Sequence, residues 1–227
     1  MTATRTAHFY LDFVSPYSWM ALMQAERFAA EHGVRWEVRP VVYAALLEAS
    51  GLVGPAEVPA KRRYTFRDVV RCAHELGLRL NGPPEHPFRS LEALRTAYLF
   101  RQEPQGLELA ARLADACWGE GRRLSDPDVL VEIVREQGLD ASQLRQRIAE
   151  PAVKRGLRDL TDEALRRGVF GVPTFVVDEE LFWGHDRLDA LARHLAGTGP
   201  PSSGLVEKLL ARPRGVVRKG APAPRSS

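Results

Sequence analysis

What most limits the fold of this chain is a change of hydrophobic period at both ends, with helical spacing between them. His8 to Phe13 alternates apolar or aromatic residues with others and reads as a buried strand. Pro16 follows, where a first helical turn has no internal use for the missing N–H. The spacing predicts a helix from about Tyr17 to Glu31, closed by Gly33. Val34 to Pro40 then alternates cleanly as a second strand, and the length of the crossover predicts parallel pairing.

The middle of the chain keeps a helical period. Lys61 to Leu78 runs into the loop LNGPPEHPF, and Ser90 to Phe100 and Leu107 to Trp118 follow, the latter stopped by Gly119. Ser125-Asp126-Pro127-Asp128 opens the next helix, with Val129, Leu130, Ile133 and Val134 on one stripe. Asp140 to Ala149 and Pro151 to Arg167 complete the set. The period returns to two at Thr174–Val177, turns at Asp178-Glu179-Glu180 and comes back through Leu181-Phe182-Trp183. Asp186 is expected to cap a last helix that carries Leu188, Leu191, Ala192 and Leu195 on one face. The expected fold is therefore α/β and thioredoxin-like over residues 1–196, with a helical insertion at about 60–168 between a β-α-β and a β-β-α half.

Composition bounds the function. The chain has 227 residues, 44% of them hydrophobic and 27% charged, enough for one buried core. No apolar run approaches the roughly 18 residues of a membrane span. The opening MTATRTAH lacks the apolar centre of a signal peptide, so no membrane partner and a cytoplasmic location are expected. The net charge of +3 divides into +5 on residues 197–227 and −2 on the body. That tail, with five prolines and five glycines, is expected to be disordered, Val206–Leu210 being left open as a helical turn. No aromatic residue accompanies its charges to stack on bases, so no nucleic acid is expected. Cys72 and Cys117 form no C-x-x-C pair and the six histidines no ligand spacing, so neither a dithiol nor a metal site is expected.

Two local signals carry chemistry. The first is Ser15-Pro16-Tyr17-Ser18, an S-x-x-S at the start of the first helix. A helix N-terminus offers free N–H groups and about half a positive charge, which activates a cysteine placed there. A serine cannot ionise usefully, but its hydroxyl can donate to a thiolate supplied by a ligand, a bond worth about 1.5–3 kcal/mol. The bland alternative is that Ser15 only caps the helix. The second signal is Gly171-Val172-Pro173-Thr174, a proline just before a strand, where a cis bond is affordable and the preceding backbone can pair with an extended peptide.

Together with VGPAEVPAKRRYTFRDVVRCA, CWGEG, VFGVPTFVVD and LFWGHDRLDAL, the DFVSPYSW block resembles the 2-hydroxychromene-2-carboxylate isomerases and the related kappa-class glutathione transferases. The resemblance covers about residues 8–196. It implies glutathione as cofactor and a small aromatic carboxylate as substrate, and it leaves oligomeric state open, a homodimer included. It implies that Ser15 bonds the glutathione sulfur and that Val172, before Pro173, pairs with the cysteinyl backbone. It further implies that Asp186, with His185 beside it, grips the γ-glutamyl ammonium and that Lys61 lies beside the ligand. Leu52 departs from it, standing after Gly51 where an asparagine is expected. Trp118 and Trp183 read either as walls of an aromatic pocket or as plain core. The implied activity is a glutathione-dependent isomerisation. Its alternatives are a kappa-like transferase or peroxidase and a non-catalytic thiol-binding protein.

Overall fold

The computed structural model describes residues 5–199, 204–213 and 215–216. Strand β1 (Arg5–Leu11) leads to helix α1 (Pro16–His32), which ends at Gly33 in the left-handed conformation, and to β2 (Val34–Pro40). β1 and β2 pair in parallel, with Arg5 opposite Val34 and Leu11 opposite Pro40. The closing half is β3 (Thr174–Val177), β4 (Glu180–Trp183), a 3-10 turn (His185–Arg187) and α9 (Leu188–Leu195). β3 is antiparallel to both neighbours, giving one sheet in the order β2-β1-β3-β4. Asp178 and Glu179 both take positive φ, at 49° and 65°, as a two-residue hairpin turn requires. The expected thioredoxin-like α/β arrangement is what the chain adopts.

Seven helices lie between β2 and β3. They are α2 (Tyr43–Ser50), α3 (Pro59–Glu75), α4 (Leu91–Phe100), α5 (Gly106–Trp118), α6 (Pro127–Glu136), α7 (Leu144–Ala149) and α8 (Pro151–Arg166). The alternation of β1 splits the core. Phe9 and Leu11 join Trp19, Trp36, Leu94, Leu109, Leu113 and Phe175 in the larger cluster. Tyr10 belongs to the smaller one, with Val41, Leu46, Ala164, Val169 and Val176. No helix is long and apolar enough to cross a membrane among the described residues.

Three boundaries correct the sequence reading. Helix α2 is not foreseen, because Val42 gives no side-chain cap; it forms by burying Leu46 in the smaller cluster. Helix α7 starts at Leu144 and not at Asp140, because the Asp140 carboxylate accepts the Ser142 N–H at 2.9 Å and turns the chain. Asp186 does not cap α9; the capping position is Arg187, and Asp186 sits inside the 3-10 turn before it. Helix α10 (Leu205–Leu210) is all exposed, and most of the remaining tail lies outside the described residues.

Gly106, the first residue of α5, is buried against the end of α4. A Cβ there would stand 2.7 Å from the Phe100 carbonyl oxygen and 3.0 Å from that of Arg101. Gly106→Ala is expected to cost about 2 kcal/mol through overpacking against backbone, read as a lower urea midpoint at unchanged m-value.

Candidate active site

Ser15 is the N-cap of α1. Its Oγ accepts the Ser18 N–H at 3.3 Å and donates to the Val172 carbonyl at 3.3 Å. Val172–Pro173 is a cis peptide bond. The helix N-terminus of the opening half and the cis-proline of the closing half thus meet through one hydroxyl. Ser15 is only 8% exposed, so a group that reaches it leaves bulk water. Ser18 is fully buried and its hydroxyl has no partner among the described residues.

Tyr17 extends this site. Its ring stacks on His185 with centroids 5.2 Å apart and planes 6° from parallel. Its hydroxyl donates to Asp68 of α3 at 2.8 Å. Burial first, and then Asp68, push the phenol well above its ordinary pKa, so it stays a donor. Pro173 is tied to the same segment, because its carbonyl accepts the Gly184 N–H at 2.9 Å. Gly184 has φ 115° and ψ 147°, a region that suits glycine, and a Cβ there would collide with the Asp186 carboxylate.

His185 and Asp186 open onto a cleft of about 180 Å³ shared with Gln24, Cys72, Glu75 and Asp189. Three carboxylates line it, so it favours a cation. Burial lowers the pKa of His185, against the pull of Asp186, Asp68 and Glu75, which favours the neutral ring. Asp186 is exposed and pairs at 3.3 Å with Arg187. Cys72 is half-buried in the cleft, its thiol pushed up by burial and then by Asp68, Glu75 and Asp186. Cys117 is buried and its thiol is pushed up by burial alone, so neither cysteine is activated as a nucleophile.

A family model described as a DSBA-like thioredoxin domain matches residues 6–196. The chain belongs to this family. Within it, a 2-hydroxychromene-2-carboxylate isomerase of Sphingobium xenophagum is 32% identical over 194 residues, 85% of this chain and 98% of the relative. Glutathione S-transferase kappa 1 of Homo sapiens is 30% identical over 207 residues, 85% of this chain and 91% of the relative. The solved structure of a 2-hydroxychromene-2-carboxylate isomerase superposes with a TM-score of 0.76 at 26% identity, covering 86% of this chain and all of that one. The chain is thus an isomerase- and transferase-like member of the DSBA-like thioredoxin family.

On this family scaffold Ser15, Val172 and Pro173 come together, and Tyr17 links them to His185, the residue before Asp186. Lys61 is exposed in the first turn of α3, about 10 Å along the helix from Asp68, and no contact joins it to the others. Leu52 is 55% exposed just past α2. Of the two tryptophans, Trp118 is plain core, whereas Trp183 is 52% exposed and packs edge-to-face on Phe170 at 4.8 Å, over Gly171. Sequence reasoning missed Asp68, His86 and the bonding role of Trp118. Tyr17 was in view inside S-P-Y-S, and its spacing of two residues from Ser15 was the one signal for it.

Proposed function

We propose that this protein is a glutathione-dependent isomerase of aromatic carboxylates of the 2-hydroxychromene-2-carboxylate type. The observation that carries the reading is the Ser15 hydroxyl, held at the N-terminus of α1 and bonded to the carbonyl before cis-Pro173. When bound, glutathione would supply a thiolate that adds reversibly to the conjugated substrate, letting a double bond turn single, rotate and re-form.

The residues present fit that cofactor. The Val172 carbonyl, now satisfied by Ser15, would accept the cysteinyl N–H instead, freeing the Ser15 hydroxyl to donate to the sulfur. One internal bond is exchanged for two to the ligand, one of them charge-assisted. The acidic cleft beside His185 and Asp186 suits the γ-glutamyl ammonium. Tyr17 holds that segment by stacking and α3 by its hydroxyl, so it fixes the spacing of the two subsites. Lys61 would add a positive charge at the open side.

A kappa-like transferase would use the same thiol site with another electrophile, and the human relative supports this second reading. Assays with a hydroxychromene carboxylate and with a chlorodinitrobenzene-type electrophile, each with and without glutathione, decide between them. Isomerisation that proceeds equally without glutathione would sink the preferred reading. Absence of glutathione binding by calorimetry at millimolar ligand would sink both and leave a scaffold role. Tyr17→Phe keeps the stacked ring and loses the bond to Asp68. It is expected to weaken glutathione binding about five-fold, equivalent to about 1 kcal/mol, with kcat changed less than two-fold.

A further inference from the structure

The residues that lead into α1 are held by the Trp118 and His86 side chains of the helical insertion and by a backbone N–H at the start of α2. The buried Asp12 carboxylate accepts the Val14 N–H at 3.1 Å and the Tyr43 N–H at 3.0 Å. The Trp118 indole N–H donates to the Phe13 carbonyl at 2.9 Å. Nε2 of His86 lies 3.0 Å from the Val14 carbonyl oxygen. A carbonyl only accepts, so Nε2 carries the proton. The imidazole is packed edge-on between Phe66 at 5.3 Å and Trp118 at 5.4 Å.

Filling space does not account for an imidazole at this place. Any ring would occupy the gap between Phe66 and Trp118. The other nitrogen, Nδ1, is buried with no partner among the described residues, which is a cost that a hydrocarbon ring would avoid. Burial first, and Arg62 nearby, disfavour a second proton there, while the bond to Val14 acts the other way. What the imidazole supplies in return is one N–H, and that N–H is aimed at the peptide unit whose nitrogen belongs to Ser15.

We propose that His86 is a positioning residue for the thiol site: its bond to the Val14 carbonyl fixes the Val14–Ser15 peptide, so that the Ser15 hydroxyl faces the sulfur and the Val14 carbonyl does not. The inference deepens the reading of Ser15 given above. The Ser15 N–H is turned inward, donating to the Asp12 carbonyl at 3.1 Å, and the Ser15 carbonyl starts the helix by accepting from Ser18 and Trp19. Without the donor on its oxygen, the Val14–Ser15 peptide would be held by the Ser15 N–H alone, and a tilt of its carbonyl would bring a partial negative charge toward a thiolate. Half a charge moved to within a few ångströms changes thiol ionisation about ten-fold.

The test uses Ser15→Cys as a reporter and needs no glutathione. The pKa of the introduced thiol is read from its alkylation rate against pH, peptide by peptide in a mass spectrometer so that Cys72 and Cys117 do not interfere. Adding His86→Phe, or the smaller His86→Leu if the first does not fold, is expected to raise that pKa by about one unit. Adding His86→Gln, whose amide can donate in the same place, is expected to restore most of it. Phe66→Leu, which loosens the packing and keeps the donor, should lower the urea midpoint and leave the pKa in place. Equal pKa values with His86, Phe and Gln would overturn the proposal, as would equal shifts with Phe and Gln. Failure of glutathione to bind the native protein would be a separate result, bearing on the proposed function alone.

Discussion

Ser15→Ala is expected to bind glutathione within about three-fold of the native protein and to lose about 10- to 100-fold in isomerase kcat at neutral pH. In the proposed function the Ser15 hydroxyl would donate to the glutathione thiolate, and a charge-assisted bond of about 1.5–3 kcal/mol corresponds to that range. Binding would be spared because, in the same proposal, the backbone at Val172 and the acidic cleft hold the rest of the tripeptide. The pH dependence carries the sign. Removing the donor raises the pKa of the bound thiol, so the deficit should be largest below that pKa and shrink as the pH rises past it. A uniform loss at every pH, or a fall in affinity as large as the fall in rate, would assign Ser15 to binding or capping instead. The variant also forfeits the bond from the Ser18 N–H, a cap worth about 1 kcal/mol, so a modest drop in thermal midpoint should accompany it.

Trp118→Ala is expected to be the most damaging single truncation near the site, costing about 5 kcal/mol. The indole is fully buried at the end of α5, and large-to-small changes of this kind cost about 3–5 kcal/mol for the cavity and lost transfer energy. The unpaired Phe13 carbonyl adds about 1–3 kcal/mol, partly overlapping with the first term. Against a typical total of about 5–15 kcal/mol, such a protein would be close to its unfolding threshold at room temperature. Trp118→Phe separates the two contributions, since it fills most of the space and lacks the N–H. It should cost about 2 kcal/mol by urea denaturation, and a cost near zero would show that the bond to Phe13 does not hold the loop.

How much of this was legible in the sequence follows from how local each signal is. β1, α1 and β2 are visible because alternation, Pro16 and Gly33 act within a few residues. Ser15 and Val172-Pro173 could be singled out as candidates for the same reason, each marked by its own neighbours. Helix α2 was invisible because it has no side-chain cap and depends on burying Leu46 against residues far along the chain. The groups that support the site were hidden in the same way. Asp68 is 51 positions from Tyr17, His86 is 72 from Val14 and Trp118 is 105 from Phe13. Each is an ordinary residue in its own helix or loop, and only the path of the insertion gives it a partner.

The strand order sets a timetable for synthesis. β1 leaves the ribosome before the other described elements, yet it lies inside the sheet, and its second neighbour β3 pairs His8 with Val176 and Tyr10 with Thr174. At roughly 5–20 residues per second, the apolar edge of β1 waits at least several seconds for that partner, with β2 covering only its other side. An open edge of this kind recruits strands from other chains. The parallel β1–β2 pair and the helices of the insertion must therefore shelter it in the interval. The Ser15–Val172 bond and the Tyr17–His185 stack, on which the proposed thiol site rests, can form only when translation has passed Val172 and His185.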